Sequence, residues 1–588
     1  MTRKNDSWNA QSPVLCVAVV FLLAACGTMD QPENRLPRLN PAHGGALASC
    51  TSLVDAARDA QTTITAATMV RAGVLSAPGV ATPMPEHCLV QGTLHARISK
   101  VDGRPYAIGF EMRLPVQWNG RFFYQANGGI DGAVATAFGV DSGGAPTSNA
   151  LARGFAVMSS DAGHPRAYGA TFGWDPQARL DYGYQAVGSL TPLAKRIIAA
   201  AYGKGPERSY LGGCSNGGRH AMVAAARYAE QYDGIFAGDP GLHLPKAAIA
   251  QLYGVQQYAS IASQDASGRP DITTAFRPDE LALVSRLILR RCDGLDGATD
   301  GIVSDPQTCQ AQFDLGTDVP TCGGARDGTC LTASQKKVLG NVFAGAKNAK
   351  GESLYSPFWF DPGIVGADFR SWKFSNSLDL DPGAVAAIFT TPPSRKPPRP
   401  RFVKGAGHYE GLDYALSFSM DSDAPRIFAT DGVYAESPWS FMTPPDESRL
   451  DALRGRGAKL LVYHGAGDPV FSPADTAAWY EALAQAHGGN ATDFARLFIV
   501  PGMNHCRGGP ATDQFDMLSA LVDWVENGKA PERIVASARG PGANVVNPEV
   551  PGAWSPRRTR PLCVYPTVAR YSGSGDTEDA ASFVCAAR

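Results

Sequence analysis

The sequence lacks a strong charge of either sign. It has 53 Lys and Arg residues against 55 Asp and Glu residues, which gives a net charge of −2 over 588 residues. Nucleic-acid-binding proteins usually carry a basic surplus, so we expect no nucleic-acid partner. The hydrophobic content of 44% is ordinary for a globular protein. Because 588 residues exceed what one simple core holds, we expect one large domain with an insertion, or two domains.

The N-terminal region contains an apolar run that is too short to cross a bilayer. Residues 14–25 follow Arg3 and Lys4, and this arrangement has the proportions of a signal peptide. Residues 23–26, Leu-Ala-Ala-Cys, resemble a bacterial lipobox in which Cys26 is lipidated; an ordinary cleaved signal is the alternative. We therefore predict a signal peptide over residues 1–25 and a tether over residues 26–45. The protein is expected to be exported and lipid-anchored in the outer membrane or periplasm, or otherwise secreted.

Cys-x-x-Cys pairs, which are common in zinc sites, are absent from the sequence. Of the twelve cysteines, Cys16 and Cys26 lie in the predicted signal region, which leaves ten. An even number in an exported protein favours disulfide bonds over zinc. Local spacing suggests four pairs: Cys50–Cys88, Cys292–Cys309, Cys322–Cys330 and Cys563–Cys585. Cys214 and Cys506 then remain.

One motif suggests a nucleophile. Residues 213–217, Gly-Cys-Ser-Asn-Gly, fit G-x-S-x-G, the sharp turn that exposes a serine between a strand and a helix. A strand-like run at residues 208–211 precedes the motif, and an alanine-rich helical run follows at residues 221–228. In a chain with 64 glycines, a plain tight turn is the alternative. The context favours Ser215 as a nucleophile.

An acid and a histidine follow two later strand-like runs. Asp468 follows the run at residues 459–463, and His505 follows the run at residues 496–500. The order Ser, Asp, His is that of α/β-hydrolases. His464 is the nearest rival to His505, but it precedes the acid and would break the order. We therefore predict a catalytic triad of Ser215, Asp468 and His505.

The same fold class predicts an oxyanion hole. Its two N–H donors come from the residue after the nucleophile and from a loop after an early strand. These positions correspond to Asn216 and, in the glycine-rich loop at residues 127–132, to Gly129. A flexible surface loop is the alternative for residues 127–132.

The two remaining cysteines adjoin the predicted triad, since Cys214 precedes Ser215 and Cys506 follows His505. A disulfide holds its two Cα atoms about 5.5 Å apart, and each neighbouring residue adds about 3.8 Å. A Cys214–Cys506 bond would therefore keep the nucleophile and its base within reach of each other. Chance placement of both remaining cysteines beside these two residues is improbable, so their positions support the predicted triad.

The middle of the chain lacks the regular strand–helix alternation of its two ends. Residues 242–444 contain irregular helices, two short cysteine loops and a proline-rich basic run at residues 392–401, which we interpret as a solvated loop. Regular strand–helix alternation resumes only near Leu450. We predict a catalytic domain formed by residues 46–241 and 445–588, with residues 242–444 inserted as a lid.

An acidic loop lies inside this predicted lid. Asp293, Asp296 and Asp300 are separated by glycines, with no basic residue in the stretch. Carboxylates in a flexible loop suit Ca²⁺, although the spacing is not that of an EF-hand. The alternative is a solvated acidic turn closed by Cys292–Cys309. We predict a structural calcium site.

Together, Cys214-Ser215, Asp468, His505-Cys506 and the acidic loop within a lid resemble the tannase and feruloyl esterase family, which also includes mono(2-hydroxyethyl) terephthalate hydrolase. The resemblance extends over residues 50–585 and implies an α/β-hydrolase fold with a large inserted lid domain and the five disulfides above. The calcium ligands that it implies are the side chains of Asp293, Asp296 and Asp300 and the backbone carbonyls of Ala298 and Ile302.

The resemblance also bears on the substrate. Trp372 and Phe471 match positions that flank the aromatic ring in the terephthalate enzyme, whose lid clamps a free carboxylate with an arginine. The corresponding residues 377–389 are shortened here and contain no arginine, and Lys373 does not provide bidentate recognition. We therefore expect hydrolysis of feruloyl, hydroxycinnamoyl or galloyl esters. A terephthalate monoesterase is one alternative, and a non-catalytic, aromatic-binding surface lipoprotein is another.

Overall fold

The computed structural model describes residues 39–56, 59–140, 146–403 and 409–588. The predicted signal peptide, Cys26 and most of the predicted tether lie outside the described residues. Within these ranges, no helix combines the length and the apolar character that a bilayer crossing requires.

The strands and helices are numbered in chain order. The strands are β1 (Gly45–Ala46), β2 (Thr62–Val70), β3 (His87–Ile98), β4 (Pro105–Pro115), β5 (Gln117–Trp118), β6 (Arg121–Gln125), β7 (Ala156–Ser160), β8 (Arg208–Cys214), β9 (Gly234–Gly238), β10 (Ser263–Gln264), β11 (Pro270–Asp271), β12 (Lys459–Gly465), β13 (Ala495–Val500), β14 (Arg533–Ser537), β15 (Thr559–Cys563), β16 (Val568–Tyr571) and β17 (Phe583–Ala586). The α-helices are α1 (Leu53–Ala56), α2 (Pro176–Leu180), α3 (Ala186–Tyr202), α4 (Asn216–Arg227), α5 (Leu244–Ala259), α6 (Pro278–Cys292), α7 (Pro306–Gln312), α8 (Ala333–Phe343), α9 (Ala367–Ser371), α10 (Ser377–Asp379), α11 (Asp381–Ala387), α12 (Glu410–Ser417), α13 (Pro438–Met442), α14 (Asp451–Gly455), α15 (Pro473–Ala486) and α16 (Met517–Asn527).

A nine-stranded mixed sheet forms the centre of the fold, in the order β13-β12-β9-β8-β6-β7-β4-β3-β2. The six strands from β13 to β7 are parallel, whereas β4, β3 and β2 continue the sheet in antiparallel fashion. Parallel strands are covered on both faces, and every residue of β7, β9 and β12 is buried accordingly. The predicted α/β fold is confirmed.

The parallel strands bring the predicted triad residues to one edge of the sheet. The register pairs Cys214 with Gly238, Gly238 with Tyr463, and Gly465 with Val500, so β8, β9, β12 and β13 end close together. In such sheets, ligands bind beyond the carboxyl ends of the strands. Ser215, Asp468 and His505 all follow these ends.

The nine strands of the central sheet all lie outside residues 242–444. That segment contributes α5 to α13 and the small hairpin of β10 and β11. Its buried aromatic side chains, among them Phe358 and Phe374, share one hydrophobic cluster with Tyr182 and Phe471 from the flanking parts of the chain. The boundaries of the catalytic and lid domains stay a prediction.

All five predicted disulfide bonds are present in the structure. The Cα–Cα distance is 6.1 Å for Cys214–Cys506, which links residues 292 positions apart. The other four bonds are local and have Cα–Cα distances between 5.0 and 5.5 Å. They are Cys50–Cys88, Cys292–Cys309, Cys322–Cys330 and Cys563–Cys585.

Candidate active site

Ser215 occupies the sharp turn between β8 and α4. Its backbone has φ 68° and ψ −128°, a strained conformation that the flanking glycines allow. A Cβ atom on Gly213 or on Gly217 would lie 2.4 Å from the carbonyl oxygen of Ala126. The Ser215 amide donates to the carbonyl oxygen of Gly238 at 3.0 Å, which fixes the turn against the end of β9. The sequence motif thus forms the predicted strand–turn–helix.

Ser215, His505 and Asp468 form a continuous hydrogen-bond chain. His505 Nε2 lies 2.8 Å from Ser215 Oγ, and His505 Nδ1 lies 2.8 Å from Asp468 Oδ2. The other carboxylate oxygen, Oδ1, accepts hydrogen bonds from the backbone amides of Val470 at 2.7 Å and Phe471 at 3.1 Å. Since an ionised carboxylate only accepts, Nδ1 carries a proton, and in the neutral ring Nε2 then faces the serine hydroxyl with its lone pair. A serine nucleophile, a histidine base and an orienting acid require this arrangement.

The charges of the pair stabilise each other. Burial favours the neutral form of Asp468, but the positive charge of His505 and the imidazole hydrogen bonds hold the pKa of Asp468 well below its usual range. Burial opposes the charged form of His505 too, yet the charge of Asp468 and its hydrogen bond raise the pKa of His505 to about 9. The pair therefore favours an imidazolium, the form that His505 takes once it has accepted a proton.

The Cys214–Cys506 bond joins the last residue of β8 to the loop after β13. Cys506 itself has φ 65°, a left-handed conformation that is uncommon outside glycine. The bond thus connects two strained segments, one of which holds the serine and the other the histidine. The segments that hold Ser215 and His505 are tied covalently as well as through the His505–Ser215 hydrogen bond.

The predicted oxyanion loop passes next to Ser215. A Cβ atom on Gly128 would lie 3.7 Å from the Cβ atom of Ser215, and the adjacent Gly129 has φ 65°. Two side-chain contacts that the sequence does not reveal brace this loop. The Tyr182 hydroxyl donates to the Gly129 carbonyl oxygen at 3.2 Å, and Asn216 Nδ2 donates to Asp131 Oδ1 at 2.6 Å.

Trp372 and Phe471 both contact the ring of His505. Their ring centroids lie 5.4 and 5.2 Å from the imidazole centroid, with interplanar angles of 82° and 78°. Trp372 lies at the start of a π-helical turn (Trp372–Asn376) between α9 and α10, whereas Phe471 follows Asp468. The two aromatic side chains predicted to contact substrate therefore meet beside His505.

Lys373, the residue after Trp372, is only 3% exposed. Its ammonium donates to Gln251 Oε1 at 3.3 Å and lies 4.2 Å from the centre of the Phe358 ring. Burial lowers the pKa of Lys373 to about 7. The ammonium is thus engaged within the protein, in agreement with the expectation that it does not act as a carboxylate clamp.

The acidic loop differs from the sequence expectation in one respect. Although the stretch itself contains no basic residue, Arg560 reaches it from the C-terminal part of the chain and forms an ion pair with Asp300. Asp293 accepts hydrogen bonds from the amides of Asp300 and Gly301 at 3.0 Å. Arg560 therefore balances one of the three predicted carboxylate charges.

The acidic loop is not among the described clusters in which three His, Cys, Asp or Glu ligand atoms lie within 4.8 Å of one another. Asp296 Oδ1 accepts from the Ala298 amide at 3.0 Å. The buried Oδ2 has no hydrogen bond of normal geometry in the part of the chain that the structure describes, although the nearby Ser304 hydroxyl lowers the pKa of Asp296. Burial raises the pKa of Asp296 to about 6 and also raises the pKa of Asp293. A bound cation would relieve this cost, since oxygen ligands of this kind are those that Ca²⁺ prefers.

Comparison with known proteins identifies relatives of this chain. Residues 88–586 match the family model described as tannase and feruloyl esterase. The chain is 41% identical over 542 residues to mono(2-hydroxyethyl) terephthalate hydrolase of Piscinibacter sakaiensis, with 86% of each chain covered. It is 29% identical over 488 residues to a probable feruloyl esterase of Arthroderma benhamiae, covering 80% of this chain and 81% of that one.

A solved structure agrees with these matches in fold. Feruloyl esterase B from Aspergillus oryzae superimposes with a TM-score of 0.70 at 23% identity, covering 92% of this chain and all of that one. The fold and the relatives define the chain as a carboxylic ester hydrolase. Because the family model extends over almost the whole chain, the chain belongs to the tannase and feruloyl esterase family.

Proposed function

We propose that the chain is an exported serine esterase that hydrolyses aromatic acyl esters through Ser215, His505 and Asp468. The observation that carries this proposal is the hydrogen-bond chain, with 2.8 Å from Ser215 Oγ to His505 Nε2 and 2.8 Å from His505 Nδ1 to Asp468. Ser215 Oγ attacks the ester carbonyl carbon while His505 accepts its proton. His505 then protonates the departing alcohol, and an acyl-serine remains. Water, activated by His505, releases the acid.

The oxyanion of each tetrahedral intermediate is assigned to the backbone N–H groups of Gly129 and Asn216. Each such donor contributes about 3 kcal/mol to transition-state stabilisation. Support comes from the position of Gly128 next to Ser215 and from the Asn216–Asp131 hydrogen bond of 2.6 Å. That bond connects the segments that hold the two donors.

Pre-steady-state kinetics test the esterase mechanism. With a nitrophenyl ester, the acyl-enzyme mechanism requires a burst of nitrophenolate equal to the enzyme concentration, provided that deacylation is slower than acylation. Mass spectrometry of quenched enzyme should then locate the acyl group on the peptide that contains Ser215. A protein that binds aromatics without turnover, the alternative of another class, would give neither a burst nor an adduct.

The acyl specificity rests on the residues beside His505. Trp372 and Phe471 offer two aromatic faces, while residues 377–389 contain no arginine to clamp a free carboxylate. Since Trp372 belongs to residues 242–444, we assign that segment the role of a lid over the site. We therefore favour neutral feruloyl, hydroxycinnamoyl or galloyl groups. The second candidate is a terephthalate monoester, which the 41% identity to the terephthalate hydrolase supports.

A substrate panel separates the two candidates. The values of kcat/KM for methyl ferulate and methyl gallate should exceed the value for mono(2-hydroxyethyl) terephthalate, because the anionic ester would bury a carboxylate without a bidentate partner. A higher kcat/KM for the terephthalate monoester would reverse the assignment.

The pH dependence follows from the charge on His505. Since His505 must be neutral to accept the serine proton, activity is present above its pKa and is lost as the pH falls through it. Its pKa is raised above the ordinary 6.5 to about 9, so the midpoint of kcat/KM is expected above pH 6.5. Asp468→Asn should lower this midpoint and reduce kcat by about 10⁴-fold.

A neutral ester, assayed from about pH 5 to pH 10, provides the measurement. The control is Asp421→Asn, which changes an exposed carboxylate in the segment assigned as the lid. This variant should retain the midpoint of the parent enzyme. A parent midpoint at or below 6.5 would contradict the stabilised imidazolium.

We also propose a structural Ca²⁺ held by the side chains of Asp293, Asp296 and Asp300 and by the carbonyls of Ala298 and Ile302. The buried Asp296 Oδ2, which has no hydrogen bond of normal geometry among the described residues, supports this assignment. The ion would neutralise carboxylates that otherwise repel each other. Because the loop contributes no atom to the triad, the ion would act on stability rather than on the chemistry.

Removal of calcium should therefore lower Tm by several degrees and leave kcat little changed at temperatures well below Tm. Thermal unfolding with and without a chelator measures this, with elemental analysis of the purified protein. Asp296→Asn should remove the response to chelator. Glu352→Gln, which alters an exposed acid elsewhere in the segment assigned as the lid, should keep it. An unchanged melting curve, together with metal-free protein, would eliminate the site.

Export is proposed from the sequence pattern alone. Residues 1–25 have the features of a signal peptide, and Cys26 is assigned as the lipidated residue at the start of the tether over residues 26–45. Labelling with a lipid precursor in a bacterial host tests the anchor, since Cys26→Ser should abolish both the label and membrane association. A processed but unlabelled protein would favour the ordinary signal peptide.

A further inference from the structure

A second histidine binds the acid of the proposed triad. His464, the sixth residue of β12, is fully buried, and its Nε2 atom lies 3.3 Å from Asp468 Oδ2. This is the oxygen that His505 Nδ1 approaches to 2.8 Å. His464 Nε2 also lies 3.1 Å from the carbonyl oxygen of Phe471, and His464 Nδ1 lies 2.9 Å from Thr476 Oγ1. From the sequence alone, His464 is only a rival base.

The neighbours of His464 determine where its proton lies. Both partners of Nε2, the Asp468 carboxylate and the Phe471 carbonyl, can only accept, so Nε2 carries a hydrogen. The Thr476 hydroxyl can donate to Nδ1 of a neutral ring or accept from a charged one. Burial opposes the charged ring, but Asp468 and Asp239 raise the pKa of His464 above its usual value. The Nε2 hydrogen of His464 is directed at the Phe471 carbonyl, and Asp468 Oδ2 lies 3.3 Å from the same nitrogen. Asp468 thus accepts three hydrogen bonds, from the amides of Val470 and Phe471 and from the ring of His505, and has the polar N–H group of His464 as a further close contact.

A second buried carboxylate lies near the same nitrogen of His464. Asp239 follows β9, is fully buried, and brings Oδ1 to 3.9 Å from His464 Nε2. The same oxygen accepts the Gly465 amide at 2.8 Å, and Oδ2 lies 3.6 Å from Cys214 Sγ. Burial raises the pKa of Asp239 to about 7, against the pull of the two imidazoles.

The segment assigned as the lid adds two charged groups to this cluster. Lys373 acts electrostatically on Asp468, and the Asp368 carboxylate accepts the backbone amide of His505 at 3.1 Å. Burial raises the pKa of Asp368 to about 6. Among the described residues, the charged groups that act on the two imidazoles or on Asp468 are thus Asp239, Asp368 and Lys373, together with Asp468 itself.

We propose that His464 is a positioning residue for the proposed triad: its Nε2–H group holds Asp468 and draws carboxylate charge away from His505, and Asp239 opposes this effect. A polar N–H group held close to an anion weakens that anion's attraction for a second cation. His464 thus limits the basicity of His505, whereas a charged Asp239 increases it. This inference rests on the proposed function, because it concerns the same three residues.

The pH profile of kcat/KM separates this role from a merely structural one. His464→Leu removes the donor, so the midpoint should rise by about one pH unit while kcat falls, since a hydrogen bond to a charged group is worth about that much. His464→Gln places an amide N–H near the position of Nε2 and should restore the midpoint of the parent enzyme. Asp239→Asn removes a negative charge and should shift the midpoint down.

The control is His87→Leu. His87 is also a fully buried histidine, but it lies on β3, six strands from β12 in the sheet and thus roughly 29 Å away. The His87→Leu variant should lower Tm without moving the midpoint of the pH profile of kcat/KM. Midpoints within about 0.2 units of the parent for both His464→Leu and Asp239→Asn would overturn the proposal. If His464→Leu does not fold, Asp239→Asn decides, because the absence of a downward shift overturns the proposal by itself.

Failure of this inference is distinguishable from failure of the proposed function. An inactive Ser215→Ala enzyme combined with unmoved midpoints would leave the esterase intact and remove only the role of His464. An active Ser215→Ala enzyme would instead remove the triad itself, and with it the basis of the proposal.

Discussion

Ser215→Ala is expected to abolish ester hydrolysis, with a loss of about 10⁶-fold in kcat and no loss of the fold. The hydroxyl is the group that His505 Nε2 meets at 2.8 Å, and no other atom of the side chain can form the acyl-enzyme. Alanine keeps the Cβ atom, so the strained backbone at φ 68° is no worse accommodated than before. The remaining activity would reflect binding and the oxyanion donors alone.

The measurement is steady-state kcat with a nitrophenyl ester, alongside a thermal melt of the same sample. Ser209→Ala provides the control, because it removes a buried hydroxyl from the same strand, β8, six positions before Ser215. It should keep most of the activity. If Ser215→Ala retained more than a few per cent of the parent kcat, Ser215 would not be the nucleophile.

The parts of the site that could be predicted are those that local sequence encodes. Ser215, Asp468 and His505 each follow a buried strand, and the parallel sheet brings strand ends to one edge whatever the intervening sequence. The Cys214–Cys506 bond could be predicted because the other eight cysteines have close partners along the chain, which leaves these two cysteines to pair with each other. These arguments require only the order of the strands and the spacing of the cysteines.

The contacts that could not be predicted join residues whose proximity no local pattern reveals. Arg560 reaches Asp300 across 260 positions, and Asp131 meets Asn216 across 85 positions. The contact between His464 and Asp468 could not be predicted for a different reason. The order Ser, Asp, His along the chain excludes His464 as the base but says nothing about its distance from Asp468. The one available signal is its position, since a histidine at the end of β12 must lie near whatever follows that strand.

Cys214→Ala/Cys506→Ala is expected to leave a folded enzyme with a severely reduced kcat. The bond spans 292 positions, so chain entropy suggests a stabilisation of up to about 5 kcal/mol. Its effect on catalysis should be the greater one. The bond joins the strained turn at Ser215 to the strained loop at His505, where a displacement of about 1 Å can cost 10²-fold in rate. Without it, the contact of 2.8 Å would depend on the hydrogen bond itself and on packing.

The matched control removes a disulfide whose two cysteines lie away from the triad residues in the sequence. Cys563–Cys585 links β15 to β17 at the C-terminal end of the chain. Its Cα–Cα distance of 5.5 Å is close to that of the Cys214–Cys506 bond. Cys563→Ala/Cys585→Ala should therefore lower Tm while kcat stays near that of the parent enzyme. Both double variants are assayed well below their melting temperatures, so that unfolding does not reduce the active fraction. Equal losses of kcat would mean that the Cys214–Cys506 bond contributes only stability, and that packing alone sets the distance between nucleophile and base.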